Sequence, residues 1–106
     1  MKNFIIVLLA FLFMVPASVC GAQTADFDLE KGTVMLNSGY EMPIIGLGTW
    51  TLSDDEAENS VYHAIKSGMR LIDTARYYGN EVGVGRGLKR AIDEGIVTRE
   101  VYLIHS

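Results

Sequence analysis

Leu71-Ile72-Asp73-Thr74-Ala75-Arg76-Tyr77-Tyr78-Gly79-Asn80-Glu81 places a carboxylate and a phenol five residues apart, directly after a short apolar run. With Asp73 closing a β-strand and Tyr78 in the loop that follows, the two form a candidate proton-transfer pair, because strand-end loops are where α/β enzymes carry their chemistry. Upstream, Gly68 supplies a helix stop, and Arg70-Leu71-Ile72-Asp73 reads as a buried strand. Downstream, Asn80 can cap a helix with the apolar face Val84, Leu88, Ala91 and Ile92, which Gly95 ends. Val101-Tyr102-Leu103-Ile104 then makes another buried strand.

Toward the N-terminus the same grammar repeats. Ser53-Asp54-Asp55-Glu56 opens a helix with a capping box: Ser53 caps the backbone, Glu56 reaches back, and the acids favour the positive end of the helix dipole. Ala57, Val61, Ala64 and Ile65 fall on one helical face. Ile44-Ile45-Gly46-Leu47-Gly48 has no polar alternation and reads as a fully buried parallel strand, followed by a loop over Thr49-Trp50-Thr51-Leu52. Thr33-Val34-Met35-Leu36 and Tyr40-Glu41-Met42 flank Asn37-Ser38-Gly39 as a β-hairpin, with Pro43 ending the pairing. Residues 23–32 are polar and read as a linker, so that order begins near Thr33.

Strand, helix, strand, helix, strand with short connections is the α/β pattern of right-handed βαβ units on a parallel sheet. Three parallel strands leave both edges open. Such an array closes into an eight-stranded barrel of about 250 residues or extends into a wider open sheet. The chain is therefore expected to be the N-terminal fragment of a larger fold, cut in its third strand at Ser106.

The 49% apolar content over 106 residues is inflated by the start of the chain. Lys2, the apolar run Phe4 to Val15, Pro16 and the small-residue stretch Ala17 to Ala22 have the order of a secretory signal peptide. This divides the chain into a signal peptide (1–22), a linker (23–32) and a folded portion (33–106), and predicts a secreted or extracytoplasmic product. The apolar run is too short for a membrane span, which needs about 20 residues, so no stable anchor is expected after cleavage. Val19 argues against lipid attachment at Cys20, and no twin arginine is present. Cleavage after Ala22 removes the single cysteine, so no disulfide is available. Of the nine basic residues Lys2 leaves with the leader, and the remaining eight stand against thirteen acidic ones. That balance excludes the basic footprint of nucleic-acid binding.

Three blocks in order resemble the aldo-keto reductases. Met42-Pro43-Ile44-Ile45-Gly46-Leu47-Gly48-Thr49-Trp50 is similar to M-P-x-x-G-L-G-T-W. Gly68 through Glu81 is similar to G-x-R-x-I-D-T-A-x-x-Y-x-N-E, and Val84-Gly85 with Gly87-Leu88 continues it. The joint pattern, from Thr33 to Ser106, is specific where one block alone is not.

The resemblance implies a (β/α)8 TIM barrel plugged at its bottom by a hairpin, which binds NADPH and reduces aldehydes or ketones by hydride transfer. It assigns catalysis to Tyr78, the general acid on the carbonyl oxygen, and to Asp73, which holds a lysine that lowers the tyrosine pKa. The lysine is needed because a phenol near pKa 10 is a poor acid at neutral pH without a neighbouring cation. In the family that lysine directly follows a Ser or Thr at the end of the third strand, so it would come immediately after Ser106. The family's catalytic histidine lies on the fourth strand, so His105 is not its equivalent.

Gly48, Thr49, Trp50 and Asp73 match cofactor-binding positions, and Trp50 and Tyr78 match the substrate pocket. The competing readings are core packing for Trp50 and a structural strand-end acid for Asp73. Tyr77 competes with Tyr78, and the family register leaves it as a packed aromatic. Gly83, Gly85 and Gly87 lack the phosphate-loop spacing and read as close packing of their helix against the barrel. His63 has no ligand partner at a metal-binding spacing and reads as a surface residue; no metal site is expected.

Two functions compete. One is an NAD(P)H-dependent oxidoreductase at full length, a monomer acting on a small carbonyl substrate, of which these residues alone are inactive. The other is a truncated, non-catalytic exported fragment that acts as a binding or relic module. Export also conflicts with NADPH, which is a cytoplasmic reductant.

Overall fold

A computed structural model describes residues 25–105 of the chain. The leader expected over 1–22 lies outside the described residues. Pairing starts earlier than the polar composition of 23–32 implies. Strand β1 (Asp26–Asp28) runs antiparallel to β2 (Thr33–Met35), with Phe27 opposite Val34. The cause is local: Asp28 Oδ1 accepts the backbone N–H groups of Glu30 (3.1 Å) and Lys31 (3.0 Å), and so builds a side-chain-closed turn. Lys31 then bridges Asp28 (3.4 Å) and Glu41 (3.1 Å) across the strands.

The expected hairpin is present. Strand β3 (Glu41–Pro43) pairs with β2 in the register Val34 to Met42. Its turn is closed by Leu36 N–H to Tyr40 O (2.8 Å) and Gly39 N–H to Leu36 O (2.9 Å). Gly39 sits at φ 84°, which costs glycine nothing.

Only Leu47–Gly48 of the expected Ile44–Gly48 strand joins the second sheet, as β4. Ile44 N–H is still bonded to Gly32 O (2.9 Å), so the chain leaves the hairpin late. Ile44 and Ile45 are consequently 38% and 66% exposed rather than buried. The second sheet is parallel, in the order β4-β5-β6, with β5 (Leu71–Thr74) in the middle and β6 (Tyr102–His105) beyond it. Helices α1 (Asp54–Lys66) and α2 (Glu81–Asp93) make the crossovers. The fold is that of the opening segment of a (β/α)8 barrel with an antiparallel hairpin ahead of it.

The capping box at α1 forms as read: Ser53 N–H donates to Glu56 Oε2 (2.8 Å) and Glu56 N–H to Ser53 Oγ (3.3 Å). The Ser53 N–H holds the Glu56 carboxyl below its ordinary pKa. At the other end, Arg70 Nη1 donates to the Ile65 carbonyl (3.0 Å), which also takes the Gly68 N–H (3.0 Å), and to the Met69 carbonyl (2.8 Å), tying the helix end to the start of β5.

The core is the seam between the helices and β5. Ile65, Ile72 and Val61 are fully buried, each contributing about 1.5–3 kcal/mol relative to exposure. Gly83 and Gly87 let α2 approach α1 closely, since a Cβ on them would lie 2.1 Å from Asp54 O and 2.5 Å from Glu58 O. The close contact is thus with the neighbouring helix rather than with the strands. Buried Tyr62 joins the two C-terminal ends. Its hydroxyl donates to Glu94 Oε2 (2.6 Å), and the Arg90 guanidinium lies 3.7 Å from its ring centroid.

Candidate active site

Residues before β5 and residues at its end face opposite ends of the parallel sheet. At the start of β5, the hairpin residues Lys31, Thr33, Pro43 and Ile45 meet Ser67 to Arg70 around a cleft of about 420 Å³. The candidate catalytic residues lie at the other end. Gly48 and Asp73 stand opposite each other in register where β4 and β5 finish. Thr49 N–H donates to Asp73 O (3.0 Å) and continues that pairing by one residue.

Thr49 is fully buried. Its hydroxyl lies 2.8 Å from the Thr74 hydroxyl and 3.3 Å from Asp73 O. Its single proton is donated toward these two oxygens, the Thr74 hydroxyl being the nearer acceptor. The Thr49 side chain is therefore committed to pinning the Asp73 backbone.

The chain then turns. Leu52 N–H reaches back to Thr49 O (3.3 Å), which places Trp50 and Thr51 at the centre of a four-residue turn. Trp50 is 69% exposed, so core packing is not its role among the described residues. Thr51 sits at φ 67°, a left-handed conformation that is a genuine outlier for a β-branched residue.

After β5 a single 3-10 turn, Arg76–Tyr78, closes through Tyr78 N–H to Ala75 O (3.0 Å). Tyr78 is half-buried there, and Gly79 at φ 69° redirects the chain. Tyr77 is 93% exposed, against the expectation of a packed aromatic: the tight turn sends adjacent residues in different directions, and only Tyr78 is drawn inward. Among the described residues, neither the Asp73 carboxylate nor the Tyr78 hydroxyl has a hydrogen-bond or ionic partner.

Asn80 departs most from the sequence reading. It is the N-cap residue of α2, yet its side chain makes no capping bond. The amide Nδ2 instead donates to Thr49 O (2.7 Å) and Leu52 O (2.9 Å), while Asp54 Oδ1 takes the Gly83 N–H (2.8 Å) at the start of α2.

Residues 44–106 match the pattern of the Aldo/keto reductase family. This chain belongs to the aldo-keto reductase family. It is 58% identical over 73 residues to an NADH-dependent D-xylose reductase of Candida parapsilosis, covering 69% of this chain and 22% of that protein. It is 53% identical over 78 residues to a probable NAD(P)H-dependent D-xylose reductase of Aspergillus niger, covering 74% and 24%. Among solved structures it is similar to a Bombyx mori aldo-keto reductase in complex with NADP. The TM-score is 0.65 at 41% identity, over 69% of this chain and 26% of that one. The chain thus spans about a quarter of the length of these relatives.

Within the aldo-keto reductase frame, Gly48, Trp50, Asp73 and Tyr78 lie at one pole, with the Asp73, Trp50 and Tyr78 side chains free of partners among the described residues, whereas the side chain, N–H and carbonyl of buried Thr49 are all bonded within the protein. These are the residues that could hold a hydroxyl-bearing group such as a nicotinamide ribose. Gly48 is exposed with no atom within 4 Å of where a Cβ would be, and Asp73 keeps its acceptor oxygens free of described partners. His63 is exposed and stacks edge-on with Tyr62 at 5.0 Å between centroids, as befits a surface histidine.

Proposed function

We propose that the protein carrying these residues is an NAD(P)H-dependent carbonyl reductase that converts a small aldehyde or ketone to its alcohol. NADPH is proposed as the reductant and a sugar aldehyde such as D-xylose as the first substrate to try. The observation that carries the reading is the alignment of Gly48 and Asp73 at adjacent strand ends, with the Trp50 and Tyr78 turns rising from the same two ends. When bound, the nicotinamide supplies the hydride.

This chain's residues would bind the carbonyl, orient it and handle its proton. Trp50 offers an exposed aromatic wall, and Tyr78 offers a hydroxyl donor on a turn braced by Ala75 and Gly79. A phenol near pKa 10 gives up its proton slowly at neutral pH unless a cation favours its ionised form. Asp73, whose backbone is fixed by Thr49, would hold such a cation against the phenol. The proton passes from Tyr78 Oη to the carbonyl oxygen as negative charge develops there.

The test is steady-state oxidation of NADPH and NADH by the full-length protein with D-xylose, for wild type and Tyr78→Phe. A positioned general acid contributes about 10²–10⁴-fold, so the variant is expected to lose that much kcat with its cofactor affinity intact. A Tyr78→Phe enzyme within a few-fold of wild type would overturn the assignment.

A further inference from the structure

The turn that carries Trp50 does not hold itself. Its internal hydrogen bond, Leu52 N–H to Thr49 O, is long at 3.3 Å, and its second central residue, Thr51, is forced to φ 67°. Strained backbone of this kind persists only where the surroundings over-determine it. Thr49 is anchored to β5 and Leu52 packs on the core, and among the described residues one side chain bonds both ends of the turn. The two N–H groups of the Asn80 amide project in a fixed fork, one to Thr49 O (2.7 Å) and one to Leu52 O (2.9 Å), the carbonyls of the first and last residues of the turn.

Two further observations show what Asn80 gives up for this contact. A helix N-cap asparagine ordinarily caps its own helix, yet that duty at α2 has passed to Asp54, which bonds Gly83 N–H from the neighbouring helix. Asn80 is also 1% exposed, and its Oδ1 has no partner among the described residues. An unpaired buried acceptor is costly, so the site retains the asparagine for its donors.

We propose that Asn80 is the positioning residue for Trp50: it clamps the Thr49–Leu52 turn and thereby fixes the distance between the Trp50 wall and Tyr78. The coupling is direct, because Asn80 follows Tyr78 by two residues across the left-handed Gly79. One side chain thus joins the two turns that bear the two aromatic candidates. The proposal rests on the reading of Trp50 as part of the substrate pocket, and it implies that Asn80 acts on substrate binding through Trp50 rather than by touching substrate.

The experiment uses the full-length protein labelled with 5-fluorotryptophan, with the Trp50 ¹⁹F line assigned by its loss in Trp50→Phe. Asn80→Ala is expected to broaden or split that line and to raise KM for D-xylose by about tenfold, with kcat changed less than about threefold. Adding Thr51→Gly to Asn80→Ala is expected to restore a single line and most of KM, because glycine takes positive φ without strain. Asp54→Ala removes the cap of α2 but not the clamp, and should lower stability while leaving the Trp50 line where it was.

A sharp, unshifted Trp50 line in folded Asn80→Ala would overturn the proposal. If that variant does not fold, Asn80→Asp, which keeps the shape and loses both donors, is read by the same criteria. The ¹⁹F measurement needs no turnover: a wild type that ignores D-xylose would defeat the functional reading, while the line shape would still decide whether Asn80 holds Trp50.

Discussion

Three glycines spaced two apart on α2 make opposite predictions from one geometry. A Cβ at Gly83 would lie 2.1 Å from Asp54 O, whereas ordinary contact begins near 3.4 Å, so Gly83→Ala must open the helix pair locally by about 1.3 Å. At Gly87 the nearest atom is Glu58 O at 2.5 Å, with Val61 Cβ at 2.9 Å, and the required opening is about 0.9 Å. The obstacles are largely backbone and cannot swing aside. A radial gap of 0.5–1 Å already forfeits about a quarter to a half of each dispersion contact, and overpacking costs about 1–3 kcal/mol. Alanine returns up to about 1 kcal/mol of helix propensity at each position. The net expectation is a loss of about 2 kcal/mol for Gly83→Ala and about 1 kcal/mol for Gly87→Ala. Gly85 has nothing within 4 Å, so Gly85→Ala should gain about 0.8–1 kcal/mol. Urea unfolding followed by far-UV circular dichroism measures all three. Equal stability of Gly83→Ala and Gly85→Ala, within about 0.5 kcal/mol, would refute the claim that glycine sets the α1–α2 distance.

Other expectations follow from the ends of the helices. Ser53→Ala removes the N-cap of α1 and should cost about 1 kcal/mol by the same unfolding assay. Arg70→Met removes a charged donor from the Met69 and Ile65 carbonyls, the latter keeping its Gly68 N–H, and should lower stability by about 1 kcal/mol, with little change in the m-value. The Tyr62 hydroxyl, aided by Arg90, holds the Glu94 carboxyl below its ordinary 4.5, and the Ser53 N–H does the same for Glu56. Because both folded pKa values are depressed, this stability is present above about pH 4.5 and lost as pH falls through the folded values. Glu94→Gln and Glu56→Gln should therefore each lower the neutral plateau of a urea midpoint against pH curve and flatten its acid limb, the variant and wild-type curves converging at low pH. We also propose that residues 1–22 direct export: fused to a reporter they should carry it out of the cytoplasm, and a reporter retained inside would refute the leader.

Legibility divided along the line between local and long-range causes. The capping box, the Gly39 turn and the two helical faces depend on residues within four positions of one another, and each could be read from the sequence. The parallel order of β4, β5 and β6 followed from the alternation of patterns. Contacts across long separations were not legible. Asn80 looked like a helix cap because nothing in Gly79-Asn80-Glu81 signals carbonyls 28 and 31 residues away. Thr49 matched a cofactor position, and nothing in its neighbours signals that its hydroxyl meets that of Thr74, 25 residues away. Ile44 and Ile45 read as core, yet the hairpin bond to Gly32 keeps them off the parallel sheet. The early start of pairing at Asp26 could have been found, since Asp28 followed by Lys31-Gly32 spells a side-chain-closed turn.

We propose that this strand-end constellation serves hydride transfer to a carbonyl. The most direct measurement is incubation of the full-length protein with D-xylose and nicotinamide reductant carrying deuterium at both C4 positions, followed by mass spectrometry of the sugar product. The expected product is a pentitol that has gained one deuterium on the former aldehyde carbon, in wild type and not in Tyr78→Phe. Unlabelled product, or oxidised cofactor with no pentitol, would contradict it.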